Sequence, residues 1–323
     1  MLYITTRNKV ESVTAYHVLN HDRSSDGGYF VPLQLPVLDR NEVSALSQKS
    51  FGQIIADILN LFFSARLDGW DVDFSIGRYP VRLVPLNQKV YVAEAWHNPD
   101  RNFSRMVRNL SSRICGNQNV QKPTDWAWMA VRIAVLFAEY GQMRETGILQ
   151  EAQLYDICVN TGDFMLPVAV WYAKKMGLPI KSILCACPDN SVLWDFLRTG
   201  TLQTSLLDKG NQQGFYNGFE RLIFSSFGFD ETANYLNCCK QRAGYCVNKS
   251  RLDQLCNDFR ASVVSSHRIV SVTHSIYNTA AYLFDPDTAL AYAGLQDVRT
   301  SDSGTRVALL LSEQSPVHSD KMK

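Results

Sequence analysis

The run from Leu154 to Gly200, LYDICVNTGDFMLPVAVWYAKKMGLPIKSILCACPDNSVLWDFLRTG, constrains the fold more than any other part of the chain. Leu154–Val159 reads as a short buried strand, and NTGD turns the chain. Asp163 is placed to cap a helix running from Phe164 to about Met176. Pro167 falls in the first turn of that helix, where a missing N–H matters least. Gly177 stands where a left-handed glycine ends a helix, and Pro179 discourages continuation. Ile180–Cys187 is a second apolar strand, and Asn190 can cap a helix over Ser191–Arg198 that ends at Gly200. Strand, helix and strand at this spacing make a βαβ unit, so the two strands are expected to be parallel with a right-handed crossover.

The chain has 323 residues, 46% of them apolar, enough for a large core in one big domain or two. A net charge of +1 gives no field that would favour nucleic acid or an anionic membrane. The eight cysteines include Cys185-Ala-Cys187 and the pair Cys238-Cys239 but no C-x-x-C, so zinc spacing is lacking and no metal is expected. Thiols within apolar runs point to reduced cysteines in a cytosol. MLYITTRNKVES lacks an apolar signal core, and no run reaches membrane-spanning length. The expectation is a soluble cytoplasmic protein. Phe51–Ala65 repeats apolar residues at 51, 54, 55, 58, 59, 62 and 63, the stripe of a core-facing helix. Asp26-Gly27-Gly28 signals a tight turn before a short strand.

The first-mentioned stretch also resembles the C-terminal half of threonine synthase, a pyridoxal-phosphate (PLP) enzyme of the tryptophan-synthase-β fold type. In that family a P-T-G-N-F-G turn cradles the cofactor phosphate, and the following helix ends A-K-K-M-G-L-P-I. Here the turn is NTGDFM, and Ala173–Ile180 matches throughout. The opening MLYITTR and SDGGYFVP (Ser25–Pro32) resemble the family's S-T-R and D-G-G-L-F-V-P. The resemblance implies an α/β fold: a threonine-synthase-like N-terminal α+β domain over residues 1–85, then the large parallel or mixed-sheet domain over residues 86–323.

Val90–Ile114 (VYVAEAWHNPDRNFSRMVRNLSSRI) reads as a strand over Val90–Ala95, a turn at Asn98-Pro99-Asp100 and a helix starting at Asn102. It is similar to the family's L-E-L-F-H-G-P-T-L-A-F-K-D, whose lysine forms the Schiff base with PLP. Phe103 falls on the phenylalanine, Ser104 on the lysine and Arg105 on the aspartate. A hydroxyl forms no imine, and an arginine guanidinium does not substitute. A shifted register does not help, because Lys89 is the only lysine between residues 50 and 121. His97 survives, but a lone histidine at a strand end is more often structural than catalytic. In the family the next helix leads into a small domain that clamps substrate. Here only Cys115–Pro123 separates it from the next matched element, too short for a layer of sheet. The small domain is read as deleted.

Thr124–Gln142 (TDWAWMAVRIAVLFAEYGQ) resembles the family's S-I-N-W-A-R-I-M-A-Q-I-V-Y-Y-F helix, with Asp125, Trp128 and Arg132 in place of asparagine, arginine and glutamine. Gly218–Phe224 resembles N-F-E-R-L-L-F, and Phe284–Ala293 resembles D-P-H-T-A-V-G. Val307–Ser312 is a last strand near the place of L-S-T-A-H-P, followed by Glu313-Gln314-Ser315-Pro316 instead. Gly200–Gly218 and Asn237–Asp258 depart from the family and read as exposed loops or short helices.

The vestigial cofactor turn therefore comprises Asn160, Thr161, Gly162, Asp163, Phe164 and Met165. A helix N-terminus attracts anions, but a carboxylate about 4 Å from a phosphate costs roughly 4 kcal/mol at an effective dielectric near 20. The helix end returns only about 0.3–2 kcal/mol. Met165 in place of a glycine is expected to crowd the same spot. With Ser104 at the lysine position there is no catalytic residue to name, and no cofactor is expected. The resemblance implies a pseudoenzyme that acts by binding. The alternatives are a true or vestigial threonine synthase acting on phosphohomoserine, or a scaffold that pairs with an authentic threonine synthase. Surface bared by the lost domain, partly re-covered by Met165, Trp126, Trp128 and Trp171, is expected to make the chain a homodimer or part of a hetero-complex.

Overall fold

The fold is that of a computed structural model, which describes residues 1–8, 11–77, 81–96, 103–116, 122–189, 191–206, 213–299 and 306–316. Strand β1 (Leu2–Thr5) pairs antiparallel with β2 (Val13–Thr14), which leads into the short helix α1 (Ala15–Asn20). The Asp26-Gly27-Gly28 turn then returns the chain as β3 (Phe30–Pro32) on the other side of β1, with Gly27 in the left-handed region at φ +78°. Three helices follow: α2 (Arg40–Ala45), α3 (Phe51–Phe63) and α4 (Gly69–Ile76). The predicted stripe of α3 is buried at Ile54, Ile55, Ile58, Leu59, Phe62 and Phe63.

Strands β4 (Arg82–Pro85) and β5 (Val90–Glu94) form an antiparallel hairpin. Helix α5 (Phe103–Cys115) is followed by α6 (Asp125–Glu145), β6 (Tyr155–Asn160), α7 (Met165–Lys175) and β7 (Ile180–Pro188). Next come α8 (Val192–Thr199), β8 (Thr201–Gln203) and the long α9 (Gln213–Gln241), kinked where Gly228 adopts φ +83°. The chain then forms β9 (Gly244–Cys246), α10 (Lys249–Cys256), β10 (Phe259–Val264), α11 (Ser266–Ala280), α12 (Pro286–Val298) and β11 (Ala308–Ser312).

The main sheet has the order β10-β7-β6-β11-β5-β4, parallel except for the antiparallel edge strand β4. The expected βαβ unit is present, with β6 and β7 parallel and α7 crossing between them. Side chains divide by strict alternation. Tyr155, Ile157, Val159, Leu309 and Leu311 join the core under α6 and α7. Cys158, Ala308 and Leu310 join a second core under α11 and α12. A sheet covered on both faces explains why β11 is apolar at nearly every position. Helix α6, buried along most of its 21 residues, is the central post, and it also packs against α3 of the N-terminal segment.

The stretch from Asn237 to Asp258, expected as exposed loops or short helices, is mostly exposed and holds the short helix α10; the addition the structure makes is β9, which pairs antiparallel with β8 and buries Tyr245 completely. Asp163 caps the start of α7 as expected: Phe164 already has helical backbone angles, and the Asp163 carboxylate accepts the Met165 N–H at 3.0 Å. Gly177 ends α7 as expected, at φ +120°, where a Cβ would meet the Leu38 carbonyl oxygen at 2.6 Å. Asn190, the turn at Asn98-Pro99-Asp100, the expected helix start at Asn102 and most of the α5–α6 connection lie outside the described residues, as does His97.

Candidate functional site

Parallel sheets carry their sites beyond the carboxyl ends of the strands, and the cleft of interest lies there. Its volume is about 340 Å³, and its walls are Asn160, Gly162, Asp163 and Leu166 after β6, Leu311, Glu313 and Gln314 at the end of β11, Asp285, Asp287 and Thr288 at the start of α12, and Trp128 from α6. Of the six vestigial turn residues, only Asn160, Gly162 and Asp163 line it. Phe164 and Met165 are buried, and Met165 turns into the core, where its sulfur accepts a hydrogen bond from Asn217 Nδ2 at 3.5 Å. The expectation that Met165 crowds the phosphate position is therefore overturned. As first residue of α7 its side chain points toward α9 rather than out of the turn.

Four backbone donors of the turn and the helix start are already engaged. Gly162 N–H donates to Asn160 Oδ1 at 3.0 Å, and Met165 N–H donates to Asp163 Oδ1 at 3.0 Å. Thr161 N–H donates to the Ala186 carbonyl and Leu166 N–H to the Asp163 carbonyl. Desolvation inside the cleft raises the Asp163 pKa above the usual carboxylate range; the Met165 N–H opposes this and the charge of Asp125 adds to it.

The opposite wall is built on Asp285, which the Asp-Pro sequence places as N-cap of α12. Its Oδ1 accepts the N–H groups of Asp287 and Thr288, and its Oδ2 accepts the Ser312 hydroxyl at 2.9 Å. Ser312 Oγ in turn accepts Trp96 Nε1–H at 2.9 Å. The last residue of β11 is thus tied into the wall instead of facing into the cleft.

Behind Trp128 and Glu313 lies a buried charge cluster. Arg132, 1% exposed, stands 3.6 Å from Glu139 and 3.7 Å from Glu313, with its guanidinium over the Phe103 ring. Burial pushes the Glu139 pKa up to about 7, with Arg132 pulling it down and Glu313 adding to the rise. Glu313 is also raised, first by burial. Sequence reasoning marked Arg132 as a changed residue but missed both carboxylates. Glu139 carries no motif, and Glu313 was noted only as a departure after the last strand.

Ser104 does not reach this cleft. It is exposed on the first turn of α5 and is not among the lining residues. Trp128 does line the cleft, but two of the other expected fillers do not. Trp126 is buried against Tyr3, Phe62 and Tyr172, and Trp171 donates to Asp258 at 3.0 Å on the other side of α7. Helical periodicity separates Trp126 from Trp128 by about 200°, so both could not face one cleft. Among the described residues no group of three or more His, Cys, Asp or Glu could hold a metal ion, and no described helix is long and apolar enough to cross a membrane.

Residues 2–76 match the family model for the threonine synthase N terminus. The chain is 26% identical over 177 residues to human threonine synthase-like 1, a match that takes in 52% of this chain and 24% of that protein. It is 24% identical over 199 residues to threonine synthase of Saccharomyces cerevisiae, covering 55% of this chain and 38% of that enzyme. The matched region thus spans about a quarter of the length of threonine synthase-like 1. The structure superposes on PLP-bound threonine synthase from Brucella melitensis with a TM-score of 0.82 at 18% identity, covering 98% of this chain and 89% of that one. Threonine synthase from yeast gives a TM-score of 0.82 at 17% identity, with 98% and 87% covered. The mixed α/β fold is that of the PLP-dependent threonine synthases.

Proposed function

We propose that this chain, threonine-synthase-like in its N-terminal domain and in its fold, performs no PLP chemistry and acts by binding another molecule, either a second copy of itself or an authentic threonine synthase. The observation that carries the reading is the state of the former phosphate turn. The cofactor needs an amine for its aldehyde and donors for its phosphate. Among the described residues no lysine lines the cleft, while four carboxylates do: Asp163, Asp285, Asp287 and Glu313. Thr161, Gly162, Met165 and Leu166 already donate their N–H groups within the protein. A phosphate entering there would break internal hydrogen bonds and meet like charge at once. The residues present do not fit the group.

The short α5–α6 connection supports the same reading, since it leaves no length for a clamping domain over the cleft. The test is direct. The purified chain is incubated with PLP, reduced with borohydride and digested for mass spectrometry. Scattered substoichiometric lysine labels are expected, together with an uncoloured protein before reduction. One stoichiometric pyridoxyl-lysine, or threonine formed from phosphohomoserine, would falsify the proposal.

A further inference from the structure

Away from the cleft, α4 exposes two large aromatic side chains in one place. Trp70 is 71% and Phe74 76% exposed, and their rings stack on each other with centroids 5.5 Å apart and planes 19° from parallel. One turn apart on the same helix, they form a continuous apolar plate. The inner face of α4, Val72 and Ile76, is buried, so the helix is amphipathic with an aromatic outer side.

Charge is divided sharply around this plate. Helix α4 with its cap carries Asp68, Asp71 and Asp73 and no base; the neighbouring α5 carries Arg105, Arg108 and Arg113 and no acid. The two helices are fastened side by side, with Asn109 donating to the Ser75 carbonyl at 2.9 Å and Arg113 paired with Asp71. Asp68, Arg105 and Arg108 remain exposed on the outer surface. An acidic helix that bears a flat aromatic plate, lying beside a basic helix, makes a self-complementary surface. A two-fold axis between the two helices lays the acidic helix of each copy, with its aromatic plate, against the arginines of the other.

We infer that the α4–α5 face is the contact between two copies of this chain. The inference rests on the proposed binding role and assigns its partner and surface. Area favours the inclusion of α5. Aromatic side chains bury roughly 150–250 Å² each, so four rings hide about 500 Å² after allowing for what is already covered. A stable interface needs about 1,200–2,000 Å², and the long outer face of α5 supplies the remainder. The aromatic plate holds the pair together while the arginines and aspartates set its register.

Sedimentation of the full chain at low micromolar concentration tests this. A dimer is expected, weakened about 100-fold by Trp70→Glu with Phe74→Glu, in the range of a lost aromatic hot spot. Arg108→Glu should weaken it less, and addition of Asp68→Arg to that variant should recover part of the loss. All of these positions are exposed, and thermal unfolding of each variant, with Asp68→Arg alone as the control for the lost α4 cap, separates a lost contact from a lost fold. A chain that stays monomeric at tens of micromolar, or a dimer indifferent to the aromatic substitutions, overturns the inference. Neither result bears on cofactor binding, which the borohydride experiment reads separately.

Discussion

Gly218 of α9 lies directly against the backbone of Phe164: a Cβ added at Gly218 would stand 2.6 Å from the Phe164 carbonyl oxygen and 3.0 Å from the Met165 nitrogen. The turn before α7 is thus clamped from below by another helix, backbone on backbone. Neither side can yield by turning a side chain. Gly218→Ala is therefore expected to destabilise the protein by about 1–3 kcal/mol, the range for an overpacked core, despite alanine's better helix propensity. Urea denaturation followed by far-ultraviolet circular dichroism checks it. An equal or higher midpoint would mean the two segments separate freely.

Met165→Gly removes a buried side chain and places glycine at the start of α7. A loss of about 2–5 kcal/mol is expected from the cavity alone, with no gain in phosphate affinity, because the side chain does not line the cleft. Calorimetric titration with inorganic phosphate and urea unfolding of the same variant test both halves. Tighter phosphate binding would return Met165 to the cleft wall.

Glu139 makes stability depend on pH near neutrality. Burial raises its pKa from 4.5 to about 7, so the folded chain keeps a proton that the unfolded chain releases. Its stabilising contribution is therefore full below the unfolded value and is lost as pH rises toward about 7. Arg132, Glu313 and the buried Tyr155 face it, and Arg132 is the one cation among these. Glu139→Gln should flatten the fall in urea midpoint between about pH 5 and pH 8. A profile unchanged by the substitution would place the titrating group elsewhere.

Ser104→Lys is expected to restore nothing. The new amine would stand on the exposed first turn of α5, away from the residues that line the cleft. Reduction in the presence of PLP should label it no more than other surface lysines. Preferential labelling at position 104, with a visible absorption band, would show that α5 still faces a working cofactor pocket.

Local patterns accounted for much of the architecture. Apolar runs bounded by NTGD, Gly177 and Pro179 specified β6, α7 and β7, and their parallel pairing follows because a right-handed crossover is the short route between them. The Phe51–Ala65 stripe specified α3 because burial follows helical period. Asp163 was legible as a carboxylate at the start of α7, since that depends only on adjacent residues. What a side chain meets across the fold was not. Helical rotation sends Trp126 into the N-terminal core while Trp128 faces the cleft, two positions on one helix with opposite surroundings. Met165 is drawn inward by Asn217, 52 residues away. Glu139 and Glu313 share one guanidinium only because α6 and the end of β11 are brought together by the sheet between them. Sequence determines period, turn and charge along the chain; the packing of distant elements decides which groups lose water, and with it which of them can still do chemistry.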